Sequence, residues 1–195
     1  MKTLKIITAL AAGLVLLAAA GCNVLENETT STSVLIIEAI TGTDITGQVG
    51  SPIAFCDVLT GGSVFNDNGV ATLAMQLINP GAAATYYQSI VVDQIDIRYT
   101  RSDGLSEEGK DVPYGFSQAC YIKIDQGDLV ELPFVLVQHN AKMESPLVEL
   151  IEFGQEKVLK LEAHVTFHGH DLGGHRIQPQ TGVISIYCAD YGDAE

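Results

Sequence analysis

The sequence is poor in basic residues. Its 195 residues include 10 Lys and Arg against 24 Asp and Glu, which gives a formal net charge of −14. Proteins that bind nucleic acid neutralise phosphates with Lys and Arg, so this balance argues against a nucleic-acid partner. The same balance argues against a protein body that lies flat on anionic lipid. It permits a cationic partner or a divalent metal, although acidity often serves only to keep an exported protein soluble.

The sequence also lacks the motifs of common catalytic sites. It contains no nucleophile elbow, no phosphate-binding loop and no zinc-protease helix. It has four cysteines but no Cys-x-x-Cys pair and no haem-attachment motif, so redox and cytochrome roles are not indicated. We therefore expect a protein that is not an enzyme and that carries no cofactor.

A long hydrophobic run is absent as well. The apolar run Ile6–Ala20 follows Lys2 and Lys5 and holds about fifteen residues, whereas a ~30 Å hydrocarbon core needs roughly 20. A short apolar run after positive charges is typical of a secretory signal peptide and not of a membrane span. The tetrapeptide AAGC that ends at Cys22 resembles the lipobox of bacterial lipoproteins. That resemblance implies cleavage before Cys22 and diacylation of Cys22.

These features predict how the chain is organised. We expect residues 1–21 to be a lipoprotein signal peptide, residues 22–33 to be an acylated Cys22 with a polar, disordered tether, and residues 34–195 to be one domain. The alternative is an ordinary signal peptide cut near Ala20. Asn23 follows the cysteine, instead of the Asp that marks inner-membrane retention in enteric lipoproteins. We therefore expect a lipid-anchored protein of the cell envelope, at the outer membrane, on its periplasmic or surface face.

The predicted domain alternates between apolar and polar residues with a period of two. In LKLEAHVTFH, Leu159–His168, the apolar residues point one way and the polar residues the other, as in a strand with one buried face. Turn signals such as NDNG, NPG and DLGG separate such runs. The pattern predicts an all-β, antiparallel β-sandwich of about 7–9 strands, with one short helix at Ser145–Phe153. The other candidate strands are Val34–Ile40, Ile53–Leu59, Val70–Ile78, Ile95–Arg101, Cys120–Ile124, Val130–Val137 and Val183–Cys188.

Four longer motifs carry a resemblance to a known family. FCDVLTGGSVFNDNGVATL, IDIRYTRSDG with DVPYGF, VLVQHNAKMESPL, and VTFHGHDLGGHRI with TGVISIYCADYGD together cover roughly residues 50–193. In combination they resemble an uncharacterised family of exported bacterial lipoproteins with an immunoglobulin-like sandwich. The resemblance implies the fold and the location, and implies no activity. An immunoglobulin-like strand order would place the loops NPGAAATYYQ, DQGD and GHDLGGH at one end, and NDNG, QHNAKMESPL and ADYGDAE at the other.

Four of the five histidines lie close together in HVTFHGHDLGGH. His168, His170 and His175, with Asp171, are of the types that bind zinc, nickel or copper, provided that they converge within ~2.1 Å of one point. The other interpretation is that these are surface histidines on an ordinary hairpin, because the segment DLGG between them has the Asp and Gly residues that are favoured in turns. At the opposite end, the NDNG turn with Asp57 and Asp190 offers oxygen ligands for calcium. That turn equally introduces the strand at Val70, and we expect Asp57 to accept hydrogen bonds from loop amides.

Three cysteines besides Cys22 remain in the predicted domain. Cys56, Cys120 and Cys188 alternate with apolar residues, so they are either buried thiols or, in an exported protein, disulfide partners. The predicted topology makes the strands of Cys56 and Cys188 neighbours and places Cys120 on the other sheet. A Cys56–Cys188 disulfide is the preferred pairing.

Two functions from different classes are compatible with the sequence. The first is a non-catalytic binding or structural module that is anchored in the membrane through its lipid and meets another envelope protein through its loops. Tyr86 and Tyr87 are the candidate interaction residues, because tyrosine is enriched at interfaces; packing at the start of a strand is the other explanation for them. The second function is metal binding, of zinc, copper or calcium, by His168, His170, Asp171 and His175 or by the acidic end.

Overall fold

The computed structural model describes residues 30–192. In it, segments whose apolar and polar residues alternate form most of the nine strands. The predicted signal peptide, Cys22 and most of the predicted tether lie outside the described residues. No helix in residues 30–192 is long and apolar enough to cross a membrane. The strands are β1 (Ser33–Thr43), β2 (Val49–Ser51), β3 (Ile53–Asp57), β4 (Asp67–Leu77), β5 (Ile90–Thr100), β6 (Phe116–Ile124), β7 (Val130–Val137), β8 (Leu159–Asp171) and β9 (Gln180–Ala189).

The strands form two sheets that enclose one core, so the all-β sandwich prediction is confirmed. One sheet has the order β2-β1-β4-β7 and the other the order β3-β9-β8-β5-β6. Every second residue of β8 from Leu161 to Phe167 is buried, as the alternation predicts. The Phe167 ring meets Phe134 of the opposite sheet edge-to-face, with centroids 6.3 Å apart. The Tyr99 hydroxyl donates to the carbonyl of Leu136 at 2.7 Å and links the two sheets.

The strand order is immunoglobulin-like, with two differences from the expectation. β3 pairs with β9 in parallel, so the sandwich is not wholly antiparallel. Cys120 lies in the same sheet as Cys56 and Cys188, at the opposite edge, and not on the other sheet. The extra strand β2 falls in a stretch expected to be a loop, because three residues are too few to show a period.

Two predicted boundaries are wrong. The tether was expected to extend to residue 33, but β1 begins at Ser33, and Ser31 and Ser33 are both buried. The segment Ser145–Phe153 contains a 3-10 helix at Val148–Glu152 and no α-helix, and the Ser145–Pro146 peptide bond is cis. The remaining helical turns are a single α-turn at His139–Lys142 and 3-10 turns at Tyr86–Gln88 and Gly154–Glu156.

The loops gather at two ends, as the predicted strand order requires. We call the end where the described chain begins the entrance end; it comprises residues 30–32, 78–89, 125–129 and 172–179. The far end comprises residues 44–48, 58–66, 101–115, 138–158 and 190–192. Hydrogen bonds within each end confirm the predicted grouping, for example Ser89 to Asp125 at the entrance end and Tyr191 to Asp57 at the far end.

Candidate functional site

The chain enters the sandwich through a set of short-range contacts with two other segments. The Ser31 amide donates to the carbonyl of Arg176 at 2.9 Å. The Ser33 hydroxyl donates to the carbonyl of Gln88 at 2.6 Å, and the Gln88 amide group donates to Thr32 at 3.2 Å. Residues 31–33 are therefore fixed against the loop that ends at Gln88 and against the hairpin that ends at Arg176.

The loop beside this entrance exposes two tyrosines. Tyr86 and Tyr87 are each 67% exposed, and their rings meet edge-to-face with centroids 5.9 Å apart. The ammonium group of Lys123 lies 5.0 Å from the centre of the Tyr86 ring, within the range of a cation–π contact. The candidate interaction residues of the sequence are thus on the surface, and packing at the start of a strand does not account for them.

The base of this loop is held firmly although its tip is exposed. The Leu172 amide donates to the carbonyl of Ser89 at 3.0 Å, and the Gly173 amide to the carbonyl of Tyr87 at 3.1 Å. The Ser89 hydroxyl donates to Asp125 at 2.5 Å. The contacts with Lys123 and Ser89 hold the pKa of the Asp125 carboxyl below its ordinary value. Two neighbouring loops therefore hold the base of the tyrosine loop in place.

The clustered histidines do not converge. His168 Nε2 lies 2.9 Å from an Asp96 oxygen, and His170 Nδ1 lies 3.1 Å from an Asp93 oxygen. His175 Nδ1 lies 3.1 Å from Asp171. Each ring thus has a different carboxylate partner, and in residues 30–192 no three or more His, Cys, Asp or Glu side chains form a group that could hold a metal ion. A shallow depression of about 580 Å³ beside His168 and His170 is open to solvent.

Asp171, the fourth residue of the predicted metal set, shapes the hairpin. Its Oδ1 accepts from the amides of Gly173 and His175, both at 2.9 Å. Partial burial opposes ionisation, but the His175 amide and the Ser31 hydroxyl hold the pKa of Asp171 below its ordinary value. The Asp171 carboxylate therefore already accepts hydrogen bonds from the turn and from Ser31 at the chain entrance. It closes the DLGG turn onto the segment where the chain enters.

The far end contains a buried ion pair that the sequence did not reveal. The Lys142 side chain is 1% exposed and that of Asp67 16%. Lys142 Nζ lies 2.9 Å from each oxygen of Asp67, but only Oδ1 meets hydrogen-bond geometry, and Oδ2 has no hydrogen bond. Nζ also donates to the carbonyl of Asp57 at 2.7 Å. Burial raises the pKa of the Asp67 carboxyl, against the opposing effect of Lys142.

The acidic turn has its side chains occupied by protein contacts. Asp67 pairs with Lys142, and Asn66 Oδ1 accepts from the His139 amide at 2.7 Å. Asp57 accepts from the Tyr191 amide at 3.0 Å and from the Thr60 hydroxyl at 2.6 Å, so the expected bond to a loop amide is confirmed. Three of the residues considered for calcium, Asp57, Asn66 and Asp67, therefore serve to join segments at the far end.

Cys56 and Cys188 lie directly opposite one another in the β3–β9 register and are both buried. A hydrogen bond with the Cys188 thiol, together with burial, raises the pKa of the Cys56 thiol well above its ordinary value. Both are thiols in the structure. Their strands are neighbours as predicted, and a disulfide between them stays a prediction.

An open cleft of about 560 Å³ lies at the far end. Its walls come from the loop after β1 and from the carboxyl end of β9. Thr43–Gly47, Phe55, Asp57 and Tyr191 line it. The cleft combines aromatic rings with carboxylates.

The sequence of this chain matches no protein-family model, and no curated protein matches it.

Proposed function

We propose that this chain is a lipid-anchored protein of the bacterial cell envelope whose β-sandwich is a non-catalytic binding or structural module. The motif AAGC supports acylation at Cys22, and the sandwich supplies the folded body. The observation that carries the proposal is the position of the chain entrance. Thr30, only eight residues after Cys22, is already joined to the sandwich at one end. A lipid on Cys22 would therefore hold the domain close to a membrane, with the entrance end nearer to the lipid than the far end.

The hydrogen bonds of the histidine rings to other side chains support a role without catalysis. The histidine rings bond to Asp, Asn or Thr side chains, as in His139 with Asn66 and His164 with Thr100. General acid–base work requires such a group to reach a bound substrate. The sandwich instead offers exposed loops at both ends for contact with an envelope partner, at the outer membrane.

Acylation is tested by growing bacteria that make the full chain with an alkyne-bearing fatty acid. We expect the mature protein to begin at Cys22, to carry the label and to sediment with membranes. The Cys22→Ser chain should carry no label and should accumulate as the uncleaved precursor. A mature chain that begins near residue 21, carries no fatty acid and stays in the soluble fraction would contradict the proposal and would favour an ordinary signal peptide.

Partner binding is tested with photo-crosslinking residues in intact envelopes. A crosslinker at Tyr114, which is exposed at the far end, should capture a protein partner if the far loops are used. Capture of only the lipoprotein-processing machinery would contradict a partner-binding role.

A further inference from the structure

We propose that the entrance end of the sandwich rests in the interfacial layer of the membrane, with the loop Ile78–Tyr87 in contact with lipid. This inference rests on the acylation proposed above. It adds an orientation and a second, non-covalent membrane contact, and it assigns Tyr86 and Tyr87 to a lipid surface instead of a protein partner.

The first observation is an exposed stretch without charge. From Asn68 to Val92 the chain contains no Asp, Glu, Lys, Arg or His, in a protein with 24 acidic residues. Residues 81–87 are all exposed, and Ile78 is 65% exposed. Transfer of charged groups to a membrane interface is costly, and the absence of charge here removes that cost. Leu129, 68% exposed, adds an apolar side chain from the neighbouring turn.

The second observation is the chemistry of the residues at the tip. Tyrosine is enriched at membrane–water interfaces because its ring is apolar and its hydroxyl is polar. Lysine side chains at the same depth place the methylene groups along apolar surface and the ammonium group among headgroups. The Tyr86–Lys123 contact combines both, and the Tyr87 ring stands beside it. The loop is already held in the conformation that exposes both rings, because the amides of Leu172 and Gly173 donate hydrogen bonds to its base.

The third observation is the reach of the tether. The eight residues from Cys22 to Thr30 span at most ~29 Å when fully extended, and an unstructured chain of that length has a root-mean-square span of ~15 Å. β1 runs from the entrance end to the far end over 11 residues, about 35 Å at roughly 3.3 Å per residue. If the far end touched the membrane, the entrance would stand farther from it than the tether can reach. An upright domain with its far end on the membrane is thereby excluded, and the entrance end is the end that stays within reach of lipid.

The charges around the loop define the kind of lipid. Asp125 is paired with Lys123, Asp93 lies beside His170, and Asp128 is near the same turn. These carboxylates disfavour a strongly anionic surface. We therefore infer contact with a mainly zwitterionic leaflet, through apolar and aromatic side chains and not through basic residues.

The test uses the absence of tryptophan from the chain, which makes any introduced Trp a unique fluorophore. Full-length chains with Tyr87→Trp or Tyr114→Trp are purified from bacterial membranes, and acylation of Cys22 is checked by intact mass. They are reconstituted into phosphatidylethanolamine and phosphatidylcholine vesicles that carry brominated acyl chains. Tyr114, at the far end, is the matched control, since it is similarly exposed.

We expect bromine to quench Trp at position 87 roughly threefold or more strongly than Trp at position 114, and its emission to shift to shorter wavelength. Ala83→Asp in the Tyr87→Trp chain should reduce that quenching, because it places a charge in the exposed loop. Ser102→Asp, an exposed change at the far end, should leave it unchanged.

Three results would overturn the inference. Acylated protein with equal quenching at positions 87 and 114 would refute the orientation while leaving the lipoprotein function intact. A position-87 signal that is unquenched in vesicles but protected in native envelopes would assign the loop to a protein partner. A chain without acyl groups would refute the proposed function itself, and the orientation with it.

Discussion

The two ends of the sandwich differ in where they place charged side chains. The far end buries charge, in the pair of Lys142 with Asp67, and uses carboxylates such as Asp57 to join its loops. The entrance end keeps its tip free of charge and exposes Tyr86 and Tyr87, while Asp125 and Asp171 are satisfied beneath them. Both ends expose apolar side chains, since Ile45, Phe65 and Leu105 are exposed at the far end, so the contrast between the ends lies in charge. The far end buries an ion pair, whereas the loop Ile78–Tyr87 beside the entrance carries no charged residue.

The largest expected effect is at the far end. Lys142→Met removes the only cation that contacts the buried Asp67 among residues 30–192, and a carboxylate left unpaired in the interior costs about 3–5 kcal/mol. The double variant Asp67→Leu with Lys142→Met should recover most of that loss, because neither charge is then buried. Urea unfolding of the single and double variants measures both values.

The exposed pair of Lys110 with Glu107 provides the control for this prediction. Lys110→Met should change the free energy of unfolding by less than about 1 kcal/mol, since solvent-exposed ion pairs contribute little. If Lys142→Met is equally mild, the buried pair does not hold the far end together and the contrast between the ends is lost.

The second prediction concerns acid, where the two ends should respond with opposite sign. The pKa of Asp171 lies below its ordinary value of 3.8, so its contribution to stability is present above that pH and is lost as pH falls through the folded-state pKa. The pKa of Asp67 is raised from 3.8, so its contribution is lost as pH rises through the folded-state value. Below pH 3.8 the entrance end should open before the far end.

Amide hydrogen exchange followed across this pH range separates the ends. The amides of Gly173 and His175, which donate to Asp171, should lose protection first as the solution is acidified. Simultaneous loss of protection at the Tyr191 amide, which donates to Asp57 at the far end, would show that the two ends do not behave as separate units.

A smaller effect on stability is expected from the tyrosines. Because both rings are largely exposed, the double change Tyr86→Ala with Tyr87→Ala should alter the free energy of unfolding by less than about 1 kcal/mol. Phe167→Ala in the core should cost about 3–5 kcal/mol and is the matched aromatic control. A large loss on removing the tyrosines would mean that they support the fold and are not reserved for contact with another surface.

The smallest expected effect is that of zinc. Each of His168, His170 and His175 already has its own carboxylate partner, so we expect no submicromolar zinc binding by titration calorimetry. Submicromolar binding that disappears in the chain with His170→Ala and His175→Ala would revive the metal-binding alternative.

Much of the fold followed from the sequence because alternation and turn residues are local signals. The buried face of β8 could be derived in that way, whereas the grouping of loops at two ends came from the immunoglobulin-like strand order that the resemblance implies. β2 was missed because three residues carry no period. The parallel β3–β9 pairing was missed because nothing in Ile53–Asp57 indicates the direction of its partner.

The site residues were less predictable for the same reason. Spacing brought the histidines together, but side-chain direction on a strand sends His168 and His170 to different carboxylates of β5. Lys142 gave no signal, since a single lysine in the segment HNAK is expected on the surface and its partner Asp67 is distant in sequence. Tyr86 and Tyr87 could be proposed from the sequence because two adjacent aromatic residues stand in a predicted loop and tyrosine is enriched at interfaces.

The most direct test of the two-ended arrangement is hydroxyl-radical labelling read by mass spectrometry. The acylated full chain in phosphatidylethanolamine and phosphatidylcholine vesicles, which contain no other protein, is compared with a soluble chain in which a conventional signal peptide is joined at Asn23. We predict that labelling of Tyr86 and Tyr87 falls in membranes while that of Tyr114 is unchanged. Equal labelling of Tyr86 and Tyr87 in the two preparations, or a fall at Tyr114 instead, would contradict the account.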